Sequence, residues 1–581
     1  MMPGEGTASA PARVLLVCMP YQNVTLSSLA VALLASTLRE HGIEAGEAYL
    51  HFEFARLLGA DAYKRFVEGD TKRGLIGELL FAESYHGLTG DERVEQRLRP
   101  YFGPPEQRAA LLAEFKRSCL ARIGEARPDL VGFSTSFNQL LPSLWLARQI
   151  KEAWPQVRIV FGGSACSMPM GERISETYAV VDHVVSGYGE EPLLELARGG
   201  PLTGKRLILS ERPVDMNALP IPDYSAYLRE AHAFTEEPHR LMLAFESSRG
   251  CWWGQKNHCT FCGLNRLEMT YNSKSSERVV KEIRALWERY AKPLFATDSI
   301  LSRTHLKEVL PELASYESKP TLFYEVKANM NSDELLALRK ANVTWIQPGL
   351  ESLSSHLLAL MRKGVKAIQN LALLKWCREL GISVSWNLLC GIPGEKLEDY
   401  EAQLRIIDRY PHLSPPQGVS PLRVDRYAPY FKAFEQYGWS GLEPLEEYRL
   451  LHPALSRQAL HDVAYHFDAL GGTCALRAYL GDVQTAVERW KSAHTRGDGV
   501  FWDDERGLIL IREGEARLIQ REERLAAVIN ASHDIVALPD LMAVAGGNHG
   551  LIEELLGLGI LYQEGNRVVN LAVRVMEAGP S

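Results

Sequence analysis

The chain has 581 residues, 46% hydrophobic and 23% charged, the balance of a globular protein, and its length suits roughly three or four domains. A net charge of −8 argues against a nucleic-acid surface spread over the whole chain, and no apolar run approaches the ~20 residues that cross a bilayer. Met1-Met2-Pro3-Gly4-Glu5-Gly6 lacks the basic and apolar stretches of a signal peptide, and Cys18, Cys119, Cys166, Cys377, Cys390 and Cys474 are scattered through apolar or helical patterns as free thiols, so the expected compartment is a reducing cytoplasm.

Val14 to Pro20 reads as an apolar strand ended by a proline, and Leu26 to His41 as a helix stopped by Gly42. Asp129 to Ser136 is a second strand running into Ser134, Thr135 and Ser136; Arg158 to Ser164 is a third, running into Gly162, Gly163 and Ser164. Gly187, Tyr188, Gly189 and Glu190 follow a fourth apolar stretch at Val184-Val185. A tight turn explains any one such glycine pair, but four strand ends of this kind predict an α/β, doubly wound domain (1–210) whose crevice admits a flat ligand close to the backbone. The stretch 49–122, containing Gly77-Glu78-Leu79-Leu80-Phe81-Ala82, is mostly helical by periodicity and too long for a structureless loop. It is read as a helical insert that either caps a substrate cavity or covers a sheet edge.

Closely spaced prolines in Arg212 to Tyr224 mark a linker, 211–235. After it, six strands alternate with helical patterns: Leu241 to Glu246, Pro293 to Asp298, Thr321 to Lys327, Val343 to Gly349, Ser383 to Leu389 and Val419 to Arg426. Ser276 is the expected cap of a helix whose apolar face is Val279, Ile283, Leu286 and Tyr290, and Gly381 the expected stop of another. Six parallel βα units predict a partial (β/α)6 barrel over 236–435, with its chemistry at the carboxyl ends of the strands. Glu325 and Lys327 project from one such end on a shared face, either as a structural ion pair or as ligand contacts.

Directly after the first of these strands stands Arg249-Gly250-Cys251-Trp252-Trp253-Gly254-Gln255-Lys256-Asn257-His258-Cys259-Thr260-Phe261-Cys262-Gly263. Three cysteines suit a four-iron cluster with one iron left open; Cys251, His258, Cys259 and Cys262 would equally suit a structural zinc. The local spacing leaves the two about even. The position of the triad, after an apolar strand and ahead of repeated βα units, favours the cluster.

With its first interval lengthened to seven residues, this run resembles the cluster-binding loop of radical S-adenosylmethionine (SAM) enzymes. Its Arg-Gly-Cys-Trp-Trp-Gly start and Cys-Gly-Leu-Asn finish are similar to the RiPP maturation radical SAM protein 1 family, which modifies ribosomally made peptides and carries a cobalamin domain. The resemblance implies a 4Fe–4S cluster on Cys251, Cys259 and Cys262, with SAM on the open iron. It places Phe261 near the adenine, although core packing is an equal reading of that ring. Glu325, Lys327, Gln347, Glu351, Arg362 and Gly391 lie in segments that look like SAM contacts, the last in the turn Gly391-Ile392-Pro393-Gly394-Glu395. The strand ends of the first domain resemble the loops that hold cobalamin, and no Asp-x-His-x-x-Gly run supplies a histidine to the cobalt. Arg423 to Phe431 also resembles the peptide-modifying family, and Arg426 and Tyr430 within it either position a substrate carbonyl or donate a proton, or else close the barrel.

The remaining chain, 436–581, reads as an α+β region: helices to about 495, a hairpin at Gly507 to Ile511 and Ala516 to Ile519, further helices, and a strand pair around Glu564-Gly565-Asn566, together a winged-helix-like module. Its helix around Asp540 to Glu554 is acidic and apolar, against a DNA-binding cobalamin or redox sensor and for a peptide-docking module. The expected protein is a cobalamin-dependent radical SAM C-methyltransferase of a ribosomally synthesised peptide, served by an external electron donor such as flavodoxin or ferredoxin, with no nucleic acid and no membrane as partner. The alternative is ring closure or rearrangement without net methylation.

Overall fold

Val14–Cys18 buries all five of its residues, as a strand in the middle of an α/β layer must, and the computed structural model places it second in a six-stranded sheet. The structure describes residues 11–68, 74–264, 269–471 and 477–575; Cys474, Asn265 and Met1 to Gly6 lie outside them. The chain forms two compact units, one of 1–245, 282–295 and 442–468, the other of 246–281, 296–441 and 469–581.

In the first unit the strands are β1 (Val14–Cys18), β2 (Ala45–Tyr49), β3 (Leu130–Ser134), β4 (Arg158–Gly162), β5 (His183–Gly187) and β6 (Leu207–Ser210). They run parallel in the order β2-β1-β3-β4-β5-β6, so the winding reverses between β1 and β3. Ligands of open α/β sheets bind outside the carboxyl ends at such a reversal. Two of these strands, β2 and β6, lie at sheet edges and escape a reading by apolar runs, because Ala-Gly-Glu-Ala-Tyr carries no such run and Leu-Ile-Leu in β6 is too short to mark a strand by itself.

The insert is helical throughout its described part, with helices Leu50–Leu58, Ala60–Glu68, Ile76–His86, Glu92–Phe102 and Pro105–Ala126. Aromatic contacts among Tyr21, Phe54, Phe81, Phe115 and Trp145 form its core. Gly77 has no room for a side chain because a Cβ there would run into the Tyr21 ring, whose hydroxyl donates to Gly77 O at 3.1 Å. Arg108 is buried between Glu83 and Glu95, so its charge is paired on both sides. The second half of the expected linker is also helix, Ser225–Phe234, since Tyr227, Leu228 and Ala231 share a buried face that outweighs the prolines upstream.

All six expected barrel strands begin within two residues of their reading, as Leu243–Phe245, Leu294–Ala296, Leu322–Glu325, Val343–Gln347, Ser383–Val384 and Val419–Pro421. The fifth then breaks. Ser385 Oγ accepts hydrogen bonds from Trp345 Nε1 and Gln417 Nε2, and Trp386 Nε1 donates to Ser414 O, so these side chains hold the chain away from a straight continuation. It resumes as Leu388–Cys390, which pairs in parallel with Val419–Pro421 in a separate two-stranded sheet, and the expected sixth strand is interrupted before Val424–Asp425. The expected cap at Ser276 shifts by one: Ser275 Oγ accepts from Arg278 N at 3.2 Å, while the Ser276 hydroxyl donates to Glu308. Gly381, at φ +63°, follows the helix Ala367–Glu379 as expected.

At the carboxyl end of the second unit, Gly499–Asp503, Gly507–Arg512 and Glu515–Gln520 form an antiparallel meander. Helix Glu523–Ala531, strand Val536–Ala537, helices Leu538–Val544 and His549–Gly557, and strands Leu561–Glu564 and Arg567–Asn570 follow, the three strands forming one antiparallel sheet. Trp502, Val528, Leu541, Leu555 and Val568 belong to its core. The module is bonded to helix Ala367–Glu379: Lys375 Nζ and Trp376 Nε1 both donate to His533 O at 3.0 Å, and Ile368 N donates to the Glu564 carboxylate. Among the described residues no helix is long and apolar enough to cross a membrane.

Candidate functional site

The second unit clasps the cysteine loop onto the turn Leu360 to Gly364. Thr260 N donates to Met361 O at 3.2 Å, Thr260 Oγ1 to Leu360 O at 3.4 Å, and the Cys259 thiol lies 4.0 Å from Arg362 O. Gly364 (φ +66°) is required here, because a Cβ would run into the Trp253 ring. At the entry to the loop, buried Asp298 accepts from Ser247 N at 2.7 Å and from both the Ser247 and Ser248 hydroxyls, and His305 bridges Ser247 Oγ and Lys274 O. Arg249 pairs with Glu246 at 2.7 Å. Tyr430 N donates to Thr260 O at 3.0 Å, tying the far segment to the loop as well.

Cys251, Cys259 and Cys262 are each partly exposed and lie within electrostatic reach of one another. Burial pushes the Cys251 thiol up and the Cys262 thiol up to about 12. His258 Nε2 lies 2.9 Å from Cys262 O, so this ring nitrogen is engaged with the loop backbone. Among the described residues no three His, Cys, Asp or Glu side chains converge as a single-ion site. A four-iron cluster needs no such convergence, since each thiolate binds a different iron, and three thiols on one loop meet that need.

Around the loop lie four charged side chains. Lys327 Nζ stands 3.8 Å from the centroid of the Trp253 ring and donates to Lys363 O at 2.7 Å. Lys363 Nζ is 3.5 Å from Glu351 Oε1 and 5.5 Å from the Phe261 centroid. Glu325 is pushed up to about 7 by burial, with Glu351 adding to the rise, and Lys327 is brought down to about 8 by burial, with Lys363 adding to the fall. Glu325 and Gln347 are direct partners across neighbouring strands, and Gln347 is exposed. Glu351 (φ +62°) and Arg362 (φ +55°) are held in the left-handed region, which non-glycine residues seldom occupy. Gly391 (φ +86°) sits in a turn closed by Glu395, whose carboxylate accepts from Gly391 N, Ile392 N and Tyr400 Oη.

Arg426 and Tyr430 are both buried. The Arg426 guanidinium lies over the Phe431 ring at 5.1 Å, and Tyr430 packs edge-on to Tyr437 at 4.6 Å, its hydroxyl raised to about 12 by burial. Sequence reasoning passed over Lys363, Asp298 and Trp253 as site residues. Trp253 stands inside the cysteine run and Lys363 directly follows Arg362, but only packing reveals their partners.

In the first unit, Ser136, Gly163 and Gly187 are exposed at the ends of β3, β4 and β5, with Ser134, Ser164, Tyr188 and Gly189 partly so. Thr135 faces inward: its hydroxyl donates to Gly162 O at 2.8 Å and it is 1% exposed. Gly163 (φ +96°) passes so close that a Cβ would lie 2.5 Å from Thr135 O. Glu190 is buried at the first turn of helix Glu190–Ala197. Small residues thus leave backbone open along this edge, as a flat ligand requires.

Residues 245–406 match the Radical SAM superfamily model, so the barrel region is of radical SAM type. Over 300 residues the chain is 26% identical to the hopanoid C-3 methylase of Methylococcus capsulatus, covering 48% of this chain and 56% of that protein. Over 299 residues it is 22% identical to an uncharacterized methyltransferase of Pyrococcus horikoshii, covering 48% of this chain and 63% of that protein. The chain thus spans between half and two thirds of these curated relatives. The structure of TsrM, a radical S-adenosylmethionine methyltransferase from Kitasatospora setae with cobalamin and a 4Fe–4S cluster bound, superposes with a TM-score of 0.51 over 84% of this chain and 90% of that one at 18% identity, a likeness of fold.

Proposed function

We propose that this protein is a cobalamin-dependent radical SAM C-methyltransferase acting on an unactivated carbon, with a ribosomally synthesised peptide as substrate. The observation that carries this reading is the three-cysteine loop, clasped between the Asp298 network and the turn Leu360 to Gly364 and surrounded by Glu325, Lys327, Glu351 and Lys363. The curated relatives named as methylases and methyltransferases point the same way.

When bound, the cluster, SAM and cobalamin supply radical and methyl-transfer chemistry that no side chain can perform. The chain's own residues hold and orient. Cys251, Cys259 and Cys262 ligate three irons, and an external flavodoxin or ferredoxin supplies electrons. Glu325, Lys327, Gln347, Glu351 and Arg362 offer the opposite charges and hydrogen bonds that the amino, carboxylate and ribose groups of SAM need, while Phe261 and the Gly391 turn flank its adenine. Ser134 to Ser136, Gly162 to Ser164 and Gly187 to Glu190 hold cobalamin, with Thr135 and Glu190 shaping the loops from within. Arg426 and Tyr430 position the substrate from buried, aromatic-lined sites. No membrane is involved, and the cytoplasm is the expected location.

The last module is proposed as winged-helix-like and as a peptide-docking element. Its element order, helix, strand, two helices and two strands, fits that shape. Glu553 and Glu554 are exposed on its last helix, a charge opposite to that of a DNA-reading helix. The strand Glu515–Gln520 lies at a sheet edge, mostly exposed, and an extended peptide adds to such an edge through main-chain hydrogen bonds.

The test is anaerobic reconstitution. The protein should bind about four irons and one cobalamin, and replacing Cys251, Cys259 and Cys262 with alanine should abolish the cluster and SAM cleavage while sparing cobalamin. Stoichiometric zinc without iron–sulfur absorbance would sink the assignment. Product mass distinguishes methylation, which adds a methyl group, from ring closure, which removes hydrogens.

A further inference from the structure

Lys363 is absent from the set of SAM contacts above, yet it is closely framed by its neighbours. Its side chain is 14% exposed and its ammonium is held 3.5 Å from Glu351 Oε1. Gly349 keeps the space open, for a Cβ there would stand 3.1 Å from Lys363 Nζ. Glu351 and Arg362 both adopt left-handed backbone, the conformation that brings the turn back beneath the cysteine loop. Main-chain bonds fix the rest: Lys363 N donates to Leu358 O at 3.0 Å and Thr260 N to Met361 O at 3.2 Å, so the ammonium and the loop share one frame. The Phe261 ring, one residue before Cys262, faces the ammonium at 5.5 Å. The charge lies within Coulombic range of Cys251, Cys259 and Cys262 alike.

Reducing a thiolate-ligated four-iron cluster by one electron adds one negative charge to a group that is already anionic. A fixed cation at short range in a partly desolvated site favours the more negative state, and net charge and exposure are the levers that set such potentials. Lys327 also lies within Coulombic range of Cys251 and Cys259, but its ammonium is already engaged with Lys363 O and the Trp253 ring, whereas that of Lys363 is held by a carboxylate beside the Phe261 ring.

We propose that Lys363 is a built-in counter-cation of the iron–sulfur cluster, held by Glu351 against the cysteine loop, which raises the reduction potential of the cluster so that a protein donor can deliver the electron. The proposal rests on the reading of Cys251, Cys259 and Cys262 as cluster ligands. The electron comes from an external one-electron donor such as flavodoxin or ferredoxin, and no bond is made or broken in the step.

The experiment is a potentiometric titration of the reconstituted cluster, followed by electron paramagnetic resonance without SAM, so that loss of a SAM contact does not enter. Iron and cluster absorbance are measured first. A wild-type protein that binds no cluster overturns the reading and the proposal with it. With cluster bound, K363M should lower the reduced-to-oxidised ratio at a fixed potential at least tenfold, equivalent to a midpoint about 59 mV more negative for a one-electron couple. K363R should stay near wild type. E351Q, which frees the ammonium from its carboxylate, should shift the midpoint in the opposite direction. Shifts of the same sign in K363M and E351Q, or full cluster content with no shift in either, overturn the proposal while leaving the cluster assignment standing. If K363M fails to hold iron, E351Q and K363R decide alone: a positive shift in the first with none in the second supports it, and an unmoved E351Q overturns it.

Discussion

Glu325 ends the strand Leu322–Glu325, with its carboxyl pushed by burial to about 7 from 4.5 and Glu351 adding to the rise. A carboxyl with a raised folded pKa keeps its proton in the folded protein over that interval and loses it in the unfolded chain, so its contribution to stability is present below pH 4.5 and is lost as pH rises through 7. Glu325→Gln should therefore match wild type near pH 5 and exceed it by roughly 1–3 kcal/mol near pH 8, as read by urea unfolding of the cofactor-free protein. The same proton must leave before the carboxylate can receive an amino group. SAM affinity should rise from pH 6 to pH 8 in wild type and stay flat in the variant, measured by calorimetry; a flat wild-type profile would remove Glu325 from the SAM contacts. This residue was visible in the sequence through its alternation with Lys327. The structure separates the pair: Lys327 turns to Trp253 and Lys363 O, because the cysteine loop offers it an aromatic face and the turn Leu360 to Gly364 a carbonyl.

At the scale of elements, the parallel sheet works through the backbone it leaves bare. β3 and β4 end side by side, with Thr135 N donating to Gly162 O at 2.7 Å and Gly163 turning at φ +96° against Thr135 O. Gly163→Ala places a methyl group where the neighbouring carbonyl stands and forces left-handed backbone on alanine, at an expected cost of about 1–3 kcal/mol. A lowered thermal midpoint and at least tenfold weaker cobalamin binding should follow, the second read by absorbance titration. An unaltered cobalamin affinity would move the ligand away from this edge. The apolar cores of β1, β3 and β4 were legible as uninterrupted hydrophobic runs, and the glycine and serine ends as breaks in them. Edge strands β2 and β6 were not, because Ala-Gly-Glu-Ala-Tyr carries no apolar run and Leu-Ile-Leu in β6 is too short to mark a strand by itself. Likewise the fifth barrel strand reads as continuous from Ser383 to Leu389, while the hydrogen bonds of Ser385 and Trp386 interrupt it, and those partners lie as far away as Trp345 and Gln417 in the chain.

Across the whole molecule, the carboxy-terminal module completes the second unit instead of hanging from it. Lys375 is wholly buried, with its amine brought down to about 8 by burial against the pull of Glu379. Glu379 in turn accepts from Arg574 N at 3.0 Å and pairs with His533 at 3.0 Å. Truncation before Gly499 would strip Lys375, Trp376 and Glu379 of these partners, each stranded buried group costing about 1–3 kcal/mol. The truncated chain should therefore fail to fold as a soluble species, as size-exclusion chromatography and circular dichroism would show. A soluble, folded truncation that still cleaves SAM would make the module a separable appendage. Peptide docking is consequently better examined by substitution on the edge strand Glu515–Gln520 than by deletion.

The order of residues by itself determined the alternation of strands and helices, the four small-residue strand ends, the three-cysteine loop and the hairpins of the last module, because periodicity, turn chemistry and ligand spacing are local properties. Tertiary structure alone decided which strands lie at edges, where the barrel sheet breaks, that Thr135 turns inward, that the module is fastened to the barrel helix, and that Lys363 is paired with Glu351 beside the Phe261 ring of the cysteine loop. Each of these depends on groups far apart in sequence competing for the same buried hydrogen bonds and the same desolvated charge, and no local pattern records the outcome of that competition.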